Sequence, residues 1–387
     1  MADVAIIGGG PAGLAAAIFL AQAGVAVAVV TRADSRSQTH NCDRGDKKIG
    51  DKIGGNKIRD KIGESLAPDS KPILQQLGVW EGFLADKHLP CPGNRSAWGS
   101  AELTDYSFIG NPYGSGWHLD RLRFESRLEQ RAKALGVEIA IGRVLPEFER
   151  SPLGQWHLRI APDIAPDKIA PDKKINREIV APFAIDATGR NSWFARRQGI
   201  RRCLDDRQVA VAAFLEPRDS PIEDATSLVE AVEGGWWYSA LLPDGRLAVF
   251  RAADPDSEVA RDRGVWWREL AATQYASDRA RHYCHSASFK VVPANSSRLE
   301  RFRGEGWLAI GDAAIAYDPL SAHGLTLALA SARDGARAIL KGDSQAFSAY
   351  ESRLQTACDR YSQMRREIYA LEQRWPQSPY WLRRHWL

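Results

Sequence analysis

The chain opens with a short apolar run, Val4-Ala5-Ile6-Ile7, followed by a glycine-rich turn over residues 8–13 and an Ala- and Leu-rich stretch over 14–23. After Gly24 comes a second apolar run over 25–30. Apolar runs of this length, punctuated by glycine, predict strand, turn, helix and strand. Residues 14–30 are almost continuously apolar, but Gly24 divides them and the leader Met1-Ala2-Asp3 carries no basic residue. No downstream segment offers a clear cleavage site. A buried helix and a buried strand are therefore expected, not a signal peptide or a membrane span.

Residues 119–135 carry helical apolar spacing and stop at Gly136, and 137–141 follow as a strand, which predicts a second βα unit. From about 209 to 290 the pattern turns β-rich, with strands over 209–214, 236–242 and 246–252 and one helix near 265–274. Residues 307–310 then form a short apolar strand running into Gly311-Asp312, and 324–340 a long Ala/Leu helix. The part from 347 on is helical and ends in an aromatic and basic tail over 381–387, expected to fold back onto its own domain. Residues 46–63 repeat a KIG-like unit and 161–172 repeat APD; neither has an apolar face to bury. Both are assigned to surface loops, the second inside a hairpin between strands at 156–160 and 178–185.

Composition narrows the class. With 387 residues, 44% of them hydrophobic and 26% charged, the chain is too apolar for disorder and large enough for one big core or two coupled ones. The net charge is only +4 with both signs mixed, so no nucleic-acid partner is expected. Five widely spaced cysteines without a CxxC argue against a disulfide scaffold and a zinc ribbon. No metal site is expected, and a reducing, cytoplasmic compartment fits. The 13 tryptophans include the pairs Trp236-Trp237 and Trp266-Trp267, which suit either core packing or an aromatic substrate pocket.

Chemistry enters with Gly8-x-Gly10-x-x-Gly13, between the first strand and helix. Gly8 permits the tight turn, Gly10 lets the backbone approach a pyrophosphate, and Gly13 allows close packing of helix on strand. Pro11 and Ala12 open a helix whose N–H groups face the phosphates. An acid is normally expected where the second strand ends, but here it ends in Thr31-Arg32. Thr31 would supply a hydroxyl there and Arg32 would lie near the adenosine end. About 300 residues later stands WLAIGDAAIAYDPLSAHGL, residues 307–325. After Gly311, the Asp312 carboxylate can accept from a ribitol or ribose hydroxyl. The small-residue turn with Pro319, Ser321, Gly324 and Leu325 offers N–H donors to an anionic centre.

Together these segments make the chain resemble the flavoprotein monooxygenase superfamily of p-hydroxybenzoate hydroxylase and the flavin-dependent halogenases across nearly its whole length. Further matches are Asp186-Ala187-Thr188-Gly189-Arg190, Arg121 within HLDRLRF, and Lys61-Ile62-Gly63-Glu64-Ser65-Leu66, which is similar to the GES turn of the halogenase-like branch. The resemblance implies an α/β fold with a Rossmann-like FAD-binding domain of the glutathione-reductase/p-hydroxybenzoate-hydroxylase type, an inserted mainly-β substrate domain and a helical C-terminal part. The implied boundaries are 1–205 for the FAD-binding domain, with 66–115 partly on the substrate side, 206–292 for the inserted domain, 293–345 for the second half of the FAD-binding domain and 346–387 for the C-terminal segment. FAD is the implied cofactor, reduced by NAD(P)H directly or by a separate flavin reductase, with molecular oxygen as co-substrate. Lys61, Ser65, Arg121, Asp186 and Gly189 join the implied cofactor residues.

Halogenases of this superfamily carry a lysine beyond the GES turn and a glutamate after the GD segment. Here residues 91–100, CPGNRSAWGS, contain no lysine, and Ser321 stands where the acid is expected. The stretch GWWYSALLP at 235–243 is longer than the halogenases' GWxWxIP. Halogenation is disfavoured. The combination CPGNRSAWGS, GWHLDR, GWWYSALLPDGR and GDAAIAYDPLSAHG is instead similar to the maturation flavoproteins of tryptophylquinone amine oxidases and of quinohemoprotein amine dehydrogenase. That likeness implies a monooxygenase hydroxylating a tryptophan in a partner polypeptide, a quinoprotein subunit, through a flavin C4a-hydroperoxide. In that role Trp98 and Trp236 would bind substrate, Trp237 and Tyr238 would form the reactive pocket wall, and His323 would donate to the oxygen or shuttle a proton. Glu64 reads as a turn or capping residue. A polypeptide substrate further implies a broad cleft in place of a sealed cavity. Two alternatives stand beside this reading: a hydroxylase or halogenase acting on a small aromatic compound, and a non-catalytic FAD-binding assembly factor.

Overall fold

The computed structural model describes residues 2–32, 61–162, 177–218, 223–284 and 289–385. Residues 46–60 and 163–172, the bodies of the two repetitive runs assigned to surface loops, lie outside them. A six-stranded sheet forms the first layer. Val4–Ile7 lies at its centre with Val27–Thr31 and then Glu138–Ile141 on one side, and Phe183–Asp186 and then Trp307–Ala309 on the other, all parallel. A short antiparallel edge, Arg303–Gly304, closes it. The sheet is covered on both faces, which is why the Val4–Ile7 run is apolar at every position and wholly buried. Helix Pro11–Gln22 packs against helices Arg121–Ala134 and Gly324–Lys341. The apolar run that could pass for a membrane span is thus this helix plus the Val27–Thr31 strand. Among the described residues no helix is long and apolar enough to cross a membrane.

The second βα unit forms as its spacing predicts. Asp120 caps helix Arg121–Ala134 by accepting from the Arg123 N–H at 3.0 Å, and Gly136 turns the chain at φ +82°. The hairpin at 156–160 pairs Trp156–Ala161 with Arg177–Ala181 antiparallel, but the expected single strand to Ile185 is two strands. Pro182 separates them: it has no N–H for the ladder, and the chain leaves the small sheet there to enter the central one.

A seven-stranded sheet forms the second layer, in the order Phe289–Pro293, Val209–Leu215, Leu247–Ala253, Gly235–Leu241, Ser227–Val232, Gly93–Ala97, Thr104–Ser107. It is antiparallel except where Ser227–Val232 runs parallel to Gly93–Ala97. Two of its strands therefore come from the 66–115 stretch. Gly235–Leu241 and Leu247–Ala253 are buried at every position, so both faces of the sheet are covered. Helix Arg263–Ala271 brings Trp266 and Leu270 to one face. The C-terminal helices Ser344–Ala370 and Pro379–His385 bring Tyr369, Tyr380 and Trp381 to the other, so the aromatic tail docks on its own chain.

Candidate active site

The first turn is built by glycines whose hydrogens face backbone. Gly8 sits at φ +116°, and a Cβ there would lie 2.1 Å from the Ala187 carbonyl oxygen; one at Gly13 would lie 1.9 Å from that of Gly8. Gly10 differs. Its φ of −80° and ψ of −176° suit any residue, and a Cβ there would meet nothing within 4 Å, because that side opens into a cleft.

The cleft has a volume of about 560 Å³ and lies beyond the carboxyl ends of the parallel strands, where open α/β sheets bind ligands. Gly10, Pro11, Ala12, Gly189 and Asp312 line one side. Pro319, Ser321, Gly324 and Leu325 form a second stretch of wall, and Lys61, Ser65, Arg121 and Tyr238 a third. Segments some 300 residues apart in the chain thus meet around one space. Two helix N-termini open into it, at Pro11 and Gly324, and neither first turn carries an acidic residue or a capping side chain. Their N–H groups and positive dipole ends suit an anionic ligand. Glycine turn, open Gly10 side and paired helix ends fit an extended, phosphate-bearing cofactor with a planar ring.

Other residues expected at the cofactor stand elsewhere. Gly8, Gly13 and Gly311 lie behind the lining as packing positions; a Cβ at Gly311 would come 2.7 Å from that of Ala12. Thr31 packs on Gly9, where a Cβ would approach its side chain to 2.5 Å, and Arg32 is exposed at the strand end. Asp186 is a correction. It is fully buried, and its carboxylate accepts from the Thr188 N–H at 2.9 Å, the Thr188 hydroxyl at 2.6 Å and the Ala195 N–H at 2.8 Å. Both oxygens are engaged in shaping the loop that presents Gly189, so the side chain does not reach the cleft.

The wall opposite the glycine turn centres on Tyr238. Its ring stacks on Phe250 at 4.8 Å and its hydroxyl lies 2.6 Å from the Ser65 Oγ. Burial, and then the nearby Glu64 carboxylate, hold its pKa well above the usual phenol range, so it remains a neutral donor. Glu64 does accept the Gly63 N–H at 3.1 Å, as a turn residue would, but it also lines the cleft beside Tyr238, a position its place in the sequence did not mark. Beneath the turn, Glu125 is buried and bridges Lys61 at 2.7 Å and Arg121 at 2.9 Å. Arg121 also donates to the Ile62 and Gly63 carbonyls at 3.2 and 2.6 Å, which makes it a strut for residues 61–65. Across the cleft, Arg190 donates to the Asn295 and Tyr317 carbonyls at 2.6 Å each, with its Nε 3.6 Å from Asp312.

Four expected catalytic or substrate residues are not in this wall. Successive strand residues point to opposite faces, so Trp237 faces helix Arg263–Ala271, where its ring meets Trp266 at 4.9 Å. Trp236 shares a face with Tyr238 but is fully buried, its indole N–H donating to the Tyr369 hydroxyl at 3.2 Å. Trp98 donates to the Ile368 carbonyl at 2.7 Å and packs edge-on against Trp381 at 5.2 Å. His323 is exposed, with a ring nitrogen hydrogen-bonded to the Ser321 carbonyl, so it satisfies a turn and does not face the cleft. The apolar wall is instead Ala210, Phe250, Val292 and Ala294. Phe250 sits directly across from Tyr238 in the sheet register, a pairing no single sequence discloses.

Among the described residues no group of His, Cys, Asp and Glu side chains could hold a metal ion. A family model described as an FAD binding domain matches residues 1–47, and one described as tryptophan halogenase matches residues 73–385. LodB of Marinomonas mediterranea, whose name marks it as an FAD-dependent oxidoreductase, is 26% identical over 395 residues, covering 99% of this chain and 96% of that protein. Among solved structures, the flavin-dependent halogenase CmlS superposes with a TM-score of 0.81 at 24% identity, covering 99% of this chain and 67% of that one. QhpG, a peptidyl tryptophan dihydroxylase essential for tryptophylquinone cofactor biogenesis, superposes with a TM-score of 0.71 at 22% identity, over 99% and 78% of the two chains. At those identities the likeness to the two structures establishes a shared fold.

Proposed function

Since the chain belongs to the tryptophan halogenase family of flavin-dependent enzymes, we propose that it is an FAD-dependent monooxygenase that hydroxylates a tryptophan side chain of a partner polypeptide while a protein-derived quinone cofactor is being made. The observation that carries this reading is the make-up of the wall facing the glycine turn. Residues 91–100, where the halogenase-like branch would place its lysine, offer one cation, Arg95, and its guanidinium pairs with Asp105 at 2.7 Å outside the cleft lining. Around Tyr238 the wall presents its neutral phenol, the Ser65 hydroxyl, the Glu64 carboxylate and an apolar surface, with no cation from residues 91–100. The likeness to LodB over nearly the full length of both chains supports an FAD-dependent oxidoreductase, and the fold shared with QhpG, a peptidyl tryptophan dihydroxylase, fits the choice of substrate.

Bound and reduced, FAD would supply an electrophilic oxygen drawn from O₂, and an indole is electron-rich enough to take it. Gly10, Pro11, Ala12 and Asp312 would hold the dinucleotide, and the 319–325 turn the ring. Ala210, Phe250, Val292 and Ala294 keep water from the reacting atoms. Phe250 fixes the Tyr238 ring, and Ser65 fixes its hydroxyl, so the phenol donates from one place to an oxygen in the cleft. The ring proton displaced on hydroxylation needs an acceptor, and Glu64 lies in that wall beside Tyr238.

Lys61 and Lys290 also line the cleft, which favours halogenation as the second reading. One experiment separates the two. The partner candidate, a quinoprotein subunit, is incubated with the FAD-loaded chain, NADH, a flavin reductase, oxygen and bromide, then analysed by peptide mass spectrometry. A gain of one or two oxygens on a tryptophan supports the proposal. A bromine mass selects the halogenase reading, oxygen on free indoles or phenols alone selects a small-molecule enzyme, and no added mass selects the assembly factor.

A further inference from the structure

Below the 318–325 turn lies a buried polar network that no step above uses. Asp318 is 1% exposed. One carboxylate oxygen accepts the Leu320 N–H at 2.8 Å and so caps the turn Pro319–Ser321; the other accepts from the Tyr369 hydroxyl at 2.7 Å and the Gln208 amide at 3.2 Å. The Asp318 N–H donates to the Tyr361 hydroxyl at 2.8 Å. Tyr361 in turn stacks face to face on Tyr317, a cleft residue, at 3.9 Å. Gln208 accepts from Tyr380 at 2.6 Å. Both hydroxyls on Asp318 belong to helix Ser344–Ala370, and Tyr380 to helix Pro379–His385. Arg384 anchors the latter through Asp254 at 3.0 Å.

The turn closes on two backbone hydrogen bonds of its own, Ser321 N–H to the Asp318 carbonyl at 3.1 Å and Ala322 N–H to the Pro319 carbonyl at 3.0 Å, yet it carries strain. Ala322 holds a left-handed φ of +51° without being glycine, a conformation that persists only where surrounding contacts impose it. Asp318 is held by Tyr361 and Tyr369 of helix Ser344–Ala370, together with Gln208 and with Ser296, whose Oγ accepts from the Asp318 N–H at 3.2 Å.

We propose that Tyr369 and Tyr361 are positioning residues for the flavin-facing turn: through Asp318, the C-terminal helices set the geometry of residues 318–325 and with it the electronic surroundings of the bound ring. This rests on FAD occupying the cleft and is independent of which substrate is oxidised. The test compares the full chain with its Tyr369→Phe and Tyr361→Phe variants, each losing one hydroxyl and keeping its ring. In the cofactor-free protein, hydrogen exchange measured by mass spectrometry over 318–325 should accelerate about tenfold in both variants; the seven-stranded sheet should stay unchanged in Tyr361→Phe, whereas Tyr369→Phe also removes the acceptor of the Trp236 N–H in strand Gly235–Leu241. In the FAD-loaded protein, the flavin absorption bands and reduction potential should shift. Should Tyr369→Phe fail to fold, Tyr380→Phe, acting one bond further away through Gln208, carries the same expectation. Unchanged exchange at 318–325, acceleration spread evenly over the chain, or an unshifted spectrum and potential would each overturn the proposal. Failure of the substrate reading would leave all of these signals in place.

Discussion

Gly10→Ala separates cofactor binding from folding in one substitution. The residue already has backbone angles that alanine adopts, and its added methyl would meet no protein atom within 4 Å. Folding of the apo-protein should therefore change by no more than about 1 kcal/mol, because alanine restricts the unfolded chain but is a poorer N-cap than glycine for helix Pro11–Gln22. The same methyl projects into the cleft where a pyrophosphate would approach the backbone. An intruding methyl in a packed site costs about 1–3 kcal/mol, which corresponds to roughly 5- to 150-fold in affinity. Thermal unfolding of the apo-protein and FAD titration by flavin fluorescence measure the two effects separately. Gly13→Ala is the contrast: its methyl would overlap the Gly8 carbonyl, so it should lower stability and affinity together. A Gly10→Ala protein that binds FAD like the wild type would refute the placement of the dinucleotide, and one that fails to fold would refute the turn geometry.

Three further outcomes are expected. Trp237→Ala should destabilise the fold by about 3–5 kcal/mol in chemical denaturation while flavin affinity in the folded fraction holds; weakened FAD or substrate binding without lost stability would return Trp237 to the site. Tyr238→Phe should leave FAD binding intact, lower stability by about 1 kcal/mol through the lost Ser65 bond and slow product formation at least tenfold in single-turnover assays; an unchanged rate removes the phenol from the chemistry. His118 is fully buried with its Nε2 3.1 Å from the Ser227 hydroxyl, and burial, then the Arg279 charge, holds its pKa down at about 4 against 6.5 when unfolded. The unfolded chain takes up the proton first, so this contribution is complete above pH 6.5 and is lost as the pH falls toward 4, by about 3 kcal/mol in all. His118→Gln should flatten that part of the stability profile, and parallel wild-type and variant curves would show that the imidazole is not responsible.

Much of the framework is legible in the residues themselves. Strand, glycine turn and helix at the N-terminus follow from apolar runs and three glycines, because a parallel strand buried on both faces and a tight turn each admit few residue types. The meeting of residues 8–13 with 311–325 around one cleft was likewise expected, from the family resemblance the two segments carry. Asp186 misled because an acid after a strand looks the same in sequence whether it binds a ligand or ties its own loop; only the donors at Thr188 and Ala195 decide. His323 stood in the right turn, yet a turn says nothing about which of its side chains face inward.

Along 235–241 the sequence determined a strand and its alternation, but not the side on which the cleft would lie. A strand with one wet face marks its orientation by alternating polar residues. Here helices cover both faces and every position is buried, so that mark is missing. The packing of helix Arg263–Ala271 on one side and the C-terminal helices on the other decided that Tyr238 would face the cleft while its two tryptophan neighbours became core.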